Sequence, residues 1–218
     1  MRKLFFLFMI GLLWQTGMVC AQGYHIKVNV PKMANQKLIL ANYFEGKVYS
    51  VDTAFLDASG NGAFHKTDKK LARGMYLLLF SPSNYFDLII GSNQNFSIQA
   101  DTVRLLETIH FTGSPENQAF LDFQRFMTAQ NRKTQKINET FEKDPHKGDA
   151  DTKQKYADQF TQADREVRDY IANLCKQYPG SALATFVNFT LSPKLPDFSK
   201  EVPESTKDRD MEIRRRGY

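Results

Sequence analysis

The stretch "FTGSPENQAFLDFQRFM", residues 111–127, is where the local pattern of the chain changes. Before it, short apolar runs are separated by Gly, Asn, Ser and Pro, which is typical of strands and turns. Within it, Ser114 precedes Pro115 and Glu116, a combination that marks a helix start. Apolar side chains then recur at helical spacing: Phe120, Phe123, Phe126 and Met127. The sequence therefore predicts an α+β fold, with strands before this stretch and helices after it.

The strand region, residues 22–112, is predicted to be an antiparallel β-sandwich. Tyr24–Val30 alternates apolar and polar residues, whereas "GMYLLLFS" and "YFDLIIG" are nearly continuous apolar runs whose two faces we expect to be covered. "SGNG", residues 59–62, reads as a turn, and Thr102–Glu107 as one turn of helix. In the run 46–57 we expect these side chains to face inward: Val48, Val51, Ala54 and Leu56.

Residues 113–195 are predicted to form a helical segment. After the helix that begins at Ser114, Pro145 and Gly148 interrupt the chain. Apolar residues then recur at spacings of three and four: Tyr156, Phe160, Ala163, Val167, Tyr170, Ile171 and Leu174. These patterns predict an α-helical hairpin, followed by a short third helix capped by Ser181. We expect the charged tail, residues 196–218, to be poorly ordered.

Residues 1–21 have the layout of a secretory signal peptide. Arg2 and Lys3 precede an apolar core, and small residues follow, so we expect cleavage between Ala21 and Gln22. The mature chain is then exported to the periplasm or cell envelope and has no transmembrane span. A lipid anchor at Cys20 is the less favoured alternative, because Val19 stands where lipoprotein signals usually have Gly, Ala or Ser.

Charge argues against a nucleic-acid partner. Cleavage would remove two of the 29 basic residues and none of the 24 acidic ones, which leaves a net charge of only +3. Nucleic-acid-binding domains usually carry a much stronger basic footprint. The segment 200–218 contains six basic and five acidic residues, so its three consecutive arginines do not amount to a polybasic arm.

Reactive and metal-ligating residue types are sparse. Cys175 would be the single cysteine of the mature chain, with no His near it in sequence, and we interpret it as a structural cysteine. Four histidines are scattered without metal-ligand spacing, and we expect them to be polar residues on strands or in a loop: His25, His65, His110 and His146. A zinc site assembled from distant strands is the weaker alternative. No catalytic residue, metal or cofactor is therefore predicted.

The stretch "DASGNGAF", residues 57–64, superficially resembles a calcium loop. It lacks the further acidic ligands and the closing Glu of such a loop, so we interpret it as a hairpin turn. Aromatic residues are more distinctive, because six of them crowd the strand region: Tyr43, Phe44, Tyr49, Tyr76, Tyr85 and Phe86. Burial in the core is the favoured interpretation. An exposed set on one face would instead form a stacking surface for a sugar or an apolar partner.

Four patterns carry a resemblance to a known family: Val51-Asp52-Thr53 before a hairpin, Gly62-x-Phe64, Gly74-x-Tyr76, and "FDLIIGSNQNFSI" closed by Asp101. They resemble the uncharacterised N-terminal β domain of exported Bacteroidota proteins. In that family the β domain commonly precedes a thioredoxin-like, TlpA-type thiol–disulfide oxidoreductase domain. The segment "FTGSPENQAFLDFQRFM" through "PGSALATFVNFTLSPKLP" looks like the helical part that follows it.

The resemblance implies a module without its redox domain. A mature chain with one cysteine and no Trp has no WCxxC motif, so the family's redox chemistry does not carry over. We expect either a natural stand-alone form or a truncated product, which is not an enzyme and which binds or docks an envelope partner. One alternative is a protein that binds a glycan or a small apolar molecule. Another is a redox subunit that acts in trans with a separate thioredoxin-like chain.

Overall fold

The computed structural model describes residues 23–191 and six later positions, 202, 203, 208, 211, 212 and 215. The chain divides into two compact units, one reaching Gln135 and the other beginning at Lys136. The first unit contains two β-sheets and the start of a long helix. The second contains the rest of that helix and two further helices. The fold is α+β, as the sequence predicts.

Within the described residues, eight strands form the two sheets: β1 (Tyr24–Asn29), β2 (Lys37–Phe44), β3 (Lys47–Phe55), β4 (Asn61–Lys66), β5 (Gly74–Ser81), β6 (Asn84–Ile90), β7 (Asn95–Gln99) and β8 (His110–Thr112). The first sheet has the order β4-β1-β7-β8, and the second has the order β3-β2-β5-β6. A short 3-10 turn, Pro31–Met33, connects β1 to β2. A four-residue helix, α1 (Leu105–Thr108), precedes β8. It begins three residues later than predicted, after Arg104 in the left-handed conformation.

One pairing departs from the antiparallel prediction. β1 pairs with β7 in parallel, with Ile26 opposite Phe96 and Val28 opposite Ile98, while the other pairings are antiparallel. The five strands β2–β6 separate the two partners along the chain, a length sufficient for the crossover that parallel neighbours need. Alternation within β1 and β7 predicts which side is buried, but it carries no information about strand direction.

The main core lies between the two sheets. The alternating residues predicted to be buried on β1 join Leu38 and Leu40 of β2 and Leu78 of β5 in one apolar cluster. Of the inward-facing set predicted for residues 46–57, Ala54 and Leu56 are buried and Val51 packs against the cluster. Val48 was predicted wrongly: it is exposed, because a bulge at Val51 shifts the register so that Val48 lies opposite the outward-facing Tyr43.

The predicted turn between β3 and β4 is confirmed. The Asp57 carboxylate accepts hydrogen bonds from the backbone N–H groups of Ser59 (2.8 Å) and Asn61 (2.9 Å). These bonds lower the pKa of Asp57. Gly60 has φ of +78°, and its carbonyl accepts a hydrogen bond from the N–H of Val30. Asp57 therefore organises a turn by binding backbone, and no second acidic side chain takes part in these bonds.

Three longer helices follow: α2 (Pro115–Lys143), α3 (Ala150–Gln177) and α4 (Ala182–Phe189). Asn117 donates its backbone N–H to the Ser114 hydroxyl, and Ala184 donates to the Ser181 hydroxyl, so both predicted helix starts are confirmed. In the second unit, the rings of Phe141 and Tyr156 meet edge to face with centroids 5.1 Å apart. The Tyr156 hydroxyl also donates to Asp144, which fixes the turn between α2 and α3.

The first part of α2 lies along a free edge of the sandwich. The Asn117 side chain accepts a hydrogen bond from the N–H of Ile89 and donates one to its C=O, at 2.7 Å each. Leu121 is fully buried in the core cluster, and Arg125 donates to the carbonyl groups of Leu106 and Glu107. Because β6 is the last strand of its sheet, these contacts cover an edge that would otherwise expose unpaired backbone groups.

Candidate ligand-binding surface

The six aromatic residues of the strand region divide between core and surface. Tyr76 and Phe86 are buried in the core, whereas the other four are exposed: Tyr43, Phe44, Tyr49 and Tyr85. The prediction of burial is therefore correct for two of the six. The exposed residues lie on the second sheet, whose strand register assigns each of them to a face.

The side of the second sheet that points away from the core is called the outer face here. Strand alternation and register place these residues on it: Val48, Ser50, Thr53 and Phe55 of β3; Ile39, Ala41 and Tyr43 of β2; Met75, Leu77 and Leu79 of β5; and Tyr85, Asp87 and Ile89 of β6. Most of these side chains are apolar. A sheet face of this composition is normally packed against another element, because solvent-facing sheet positions are usually polar.

Part of the outer face is covered. Ala41, Leu77 and Ile89 are buried although they do not belong to the core cluster between the sheets. The start of α2 hydrogen-bonds to β6 at this side through Asn117, and Gln124 donates to the backbone C=O of Asp87 (3.5 Å). The helix is therefore placed to shield the β6 side of the face.

The rest of the outer face is open. Ile39, Thr53 and Leu79 are partly exposed, Tyr43 and Tyr85 are 50% and 49% exposed, and Phe55 is 78% exposed. A groove of about 860 Å³ runs along this open part, and Ile39, Phe55 and Leu79 are among the residues that line it. Other residues complete its wall: Met33, Asn35, Gln36, Lys37, Phe80, Ser81 and Pro82. Leu79, which lines the groove, lies opposite Tyr85 of β6 in the strand register.

Asp87 lies at the border between the covered and the open part. Its Oδ1 atom is shielded from solvent and has no hydrogen-bond partner. Burial raises the pKa of the Asp87 carboxyl group. The pKa of Tyr43 is raised as well, by burial first and then by the negative charge of Asp87 and by Tyr85. Tyr85 and Asp87 are alternate residues of β6 on the outer face, whereas Tyr43 lies on β2, and β5 separates the two strands.

A second exposed aromatic group lies at the tip of the β2–β3 hairpin. The rings of Phe44 and Tyr49 meet edge to face, with centroids 6.3 Å apart, and both are exposed. Val48 is exposed beside them on the opposite face, and the turn residues Glu45 and Gly46 have positive φ. The tip therefore presents apolar groups next to the outer face.

The residues that carried the family resemblance have structural roles. The Tyr24 hydroxyl donates to Asp52 (2.7 Å), which also accepts the N–H of Thr53, so Asp52 links the two sheets. The buried Gln94 side chain exchanges two hydrogen bonds with the backbone of Leu71. Asp101 pairs with Lys32 at 3.0 Å.

Cys175 and four histidines are the candidate reactive residues. Cys175 is partly buried on α3, with its thiol 3.7 Å from the carbonyl oxygen of Ala184, as expected for a structural cysteine. His25 and His65 are exposed cross-strand neighbours with ring centroids 6.2 Å apart, and His110 and His146 are exposed elsewhere. Among the described residues, no three His, Cys, Asp or Glu side chains are grouped so that they could hold a metal ion.

Several predictions fall outside the described residues. The signal peptide with its cleavage site at Ala21 and Gln22, and the alternative lipid anchor at Cys20, belong to residues 1–22. Most of the predicted tail, residues 196–218, also lies outside them. Over the described residues, none of the helices combines the length and apolarity that crossing a membrane requires.

Two functionally interesting residues were not singled out from the sequence, Asp87 and Asn117. Asp87 is the only charged residue in the apolar run "YFDLIIG". A charge in a strand that is expected to be covered on both faces is unusual, so the sequence could have singled out this residue. Asn117 sits in the first turn of α2, where a polar residue is unremarkable. Its role depends on Ile89, 28 positions earlier, so local pattern could not reveal it.

Comparison with known proteins adds one match. Residues 24–120 match the family model described as a domain of unknown function, DUF4369. The matched range includes all eight strands and ends at Phe120, just after the helical turn that carries Asn117. No curated protein matches the chain. The similarity therefore supports a domain of this type for the strand region and the start of α2.

Proposed function

We propose that this chain is a non-catalytic binding module of the cell envelope that holds a partner protein on the outer face of the second sheet. The observation that carries the proposal is the open part of that face. Phe55, Tyr43 and Tyr85 are exposed there, beside an apolar groove of about 860 Å³. Exposed apolar patches of this kind, rimmed by polar residues, are typical of interaction sites in soluble proteins.

The resemblance described from the sequence suggests the class of partner. The family links such a β domain to a thioredoxin-like, TlpA-type domain, so a separate thioredoxin-like chain of the envelope is the first partner to test. On this proposal the partner supplies the redox chemistry and Cys175 does not. We expect the purified chain to show no thiol–disulfide exchange activity. A reproducible activity that is lost in Cys175→Ser would contradict the non-catalytic assignment.

Site-specific photo-crosslinking tests the binding surface. A photoreactive phenylalanine analogue is placed at Phe55 or Tyr85 of the exported protein, with Val103, which is exposed in the segment before α1, as the control position. We expect one adduct of the same mass from positions 55 and 85 and none from 103. The adduct should disappear when Leu79→Ser disrupts the groove. Absence of any adduct at 55 and 85, or equal labelling at 103, would contradict the proposal.

The groove also favours a second candidate, the binding of a glycan or a small apolar molecule. Its volume lies within the range of roughly 300–1,000 Å³ that is usual for small-molecule sites, and aromatic faces such as that of Phe55 stack on sugar rings. Thermal-shift screening against glycans tests this candidate, because a ligand that binds the folded state raises its melting temperature. A shift that survives in Phe55→Ser would place the ligand elsewhere.

A further inference from the structure

We propose that His25 and His65 together bind one divalent transition-metal ion, of the class of Zn²⁺, Ni²⁺ and Cu²⁺. The site lies on the solvent-facing side of the first sheet, so the proposal is independent of the partner proposed for the second sheet. The two histidines are distant in sequence but directly opposite each other on β1 and β4. Both side chains are exposed, and their ring centroids are 6.2 Å apart.

The backbone of the first sheet brings these two side chains close together. The N–H of His25 donates to the carbonyl oxygen of Gln94, next to β7, over 2.9 Å. Because β7 and β4 flank β1 on opposite sides, the backbone groups of His25 point away from β4. His25 and His65 therefore form a non-hydrogen-bonded antiparallel pair, the kind in which the Cα atoms are about 4.5 Å apart and the side chains are closest.

Two imidazole rings placed in this way can share one metal ion. Bonds from Zn²⁺ to histidine nitrogen are about 2.0–2.1 Å long, so two nitrogens on the same ion are at most about 4.2 Å apart. The nitrogens lie on the rims of the rings, and the χ2 torsion of histidine turns over a broad range at small cost. Rotation of the two exposed rings therefore brings one nitrogen of each within this distance while the strands stay in register.

The donor atoms decide which class of ion fits. Imidazole nitrogen suits Zn²⁺, Ni²⁺ and Cu²⁺, whereas Mg²⁺ and Ca²⁺ require oxygen ligands. On the same face, the next residue of β1 is Lys27 and the next residue of β4 is Ala63, so these neighbours contribute no carboxylate. Among the described residues, no third His, Cys, Asp or Glu joins the pair to make a set of three. Two imidazoles with water in the remaining positions therefore form the coordination sphere.

His110 offers a matched single histidine on the same face of the same sheet. It is exposed on β8, opposite Gln99 of β7. Gln99 in turn lies opposite Asn29, which shares a face of β1 with His25. A single histidine forms one bond to a metal ion, whereas a pair adds a second, intramolecular bond at high effective concentration. Comparison with His110 therefore isolates the effect of the pair.

A Zn²⁺ titration followed by NMR of the imidazole resonances tests the proposal on the exported protein, purified without a polyhistidine tag. We expect one Zn²⁺ per chain to perturb His25 and His65 together, while His110 responds only at higher concentration. His25→Ala and His65→Ala should each weaken Zn²⁺ binding by at least about tenfold, because each leaves a single ligand. His110→Ala should leave the affinity unchanged, and Mg²⁺ should perturb neither ring of the pair.

Three results would overturn the proposal. If His110 responds to Zn²⁺ at the same concentration as the pair, the binding is that of single surface histidines only. If His65→Ala leaves the affinity unchanged, the ion is held by His25 and another group, such as the N-terminal amine. If Zn²⁺ perturbs neither ring, the two histidines serve only the pairing of β1 with β4. His65→Thr keeps a residue that suits a strand, so a loss of affinity in this variant as well comes from the missing ligand.

Discussion

The side-chain amide of Asn117 pairs with the backbone of Ile89 as a neighbouring strand would. It accepts the N–H and donates to the C=O of the same residue, with both distances 2.7 Å. One side chain thereby replaces a strand at the edge of the sheet, and it does so in the first turn of α2. The β-sandwich and the part of α2 up to Gln135 belong to the same compact unit, which agrees with this contact.

Replacing Asn117 should destabilise this unit. In Asn117→Leu, the N–H and C=O of Ile89 lose their partners while remaining buried, so we expect the free energy of unfolding to fall by about 2–4 kcal/mol. Gln118→Ala is the matched control in the same helical turn, because the Gln118 side chain donates to the exposed Asp122 and not to the sheet in the described contacts. Chemical denaturation measures both. A loss in Asn117→Leu no larger than in the control would contradict the edge-pairing role.

Asn117→Asp gives a sharper test of the same contact. The aspartate can still accept the N–H of Ile89, but an ionised carboxylate cannot donate to the Ile89 carbonyl oxygen. The pKa of the new carboxyl group should be raised in the folded state, since only the protonated form can donate. The variant should therefore gain stability relative to wild type as the pH falls through that raised pKa. A pH-independent difference would contradict this prediction.

Asp87→Asn should stabilise the free protein at neutral pH. Burial raises the folded-state pKa of Asp87 above the unfolded value of about 3.9, so ionisation favours the unfolded state. Wild-type stability contributed by this group is fully present below about pH 3.9 and is lost as the pH rises through the folded-state pKa. We expect a gain of about 1 kcal/mol at pH 7 that vanishes at acidic pH. An unchanged or lower stability at pH 7 would show that Asp87 already has a compensating partner.

Tyr24→Phe should remove a link between the two sheets. The hydroxyl that Tyr24 donates to Asp52 is lost, which leaves one carboxylate oxygen without its donor and costs about 1–2 kcal/mol. A double-mutant cycle with Asp52→Ala, which removes the acceptor, measures the coupling, and an additive result would mean that the bond contributes nothing to stability.

The same tyrosine should make the protein sensitive to alkaline pH. Burial, followed by the hydrogen bond to Asp52 and its charge, raises the pKa of Tyr24 well above its usual value. Because the unfolded tyrosine ionises near pH 10, the stability that this group contributes is complete below that pH and declines above it. Tyr24→Phe should therefore lose less stability than wild type above about pH 10. Parallel alkaline titrations of the two proteins would contradict this.

Gly60→Ala should disrupt the turn between β3 and β4. Gly60 has φ of +78°, and a Cβ there would overlap the carbonyl oxygen of Val30, which is backbone and cannot rotate away. We expect a loss of about 2–4 kcal/mol, from the left-handed conformation together with the overlap. Gly148→Ala is the control, since a Cβ at that position meets no atom within 4 Å. Thermal unfolding compares the two, and similar melting temperatures would contradict the prediction.

The motifs that carry the family resemblance show how much of the structure can be predicted from the sequence. Asp52, Gly62, Phe64 and Tyr76 were recognised as a pattern, and the structure gives each a packing or hydrogen-bonding role in the sandwich. A pattern of strands and turns can be recognised in the sequence without knowing what the domain binds. The exposure of the outer face could not be predicted in this way, because it depends on where α2 lies.

Local patterns in the sequence are enough to predict the strand and helix types, the turn at Asp57–Gly60, and the helix starts at Ser114 and Ser181. These features depend on neighbours a few residues apart, through side-chain alternation, helical spacing and local hydrogen bonds. Contacts between distant parts of the chain decide that β1 and β7 run parallel, that Tyr43 and Tyr85 are exposed while Tyr76 and Phe86 are buried, and that the Oδ1 atom of Asp87 has no hydrogen-bond donor. Each of these depends on which strand or helix lies opposite a given residue, and that partner is tens of residues away along the chain.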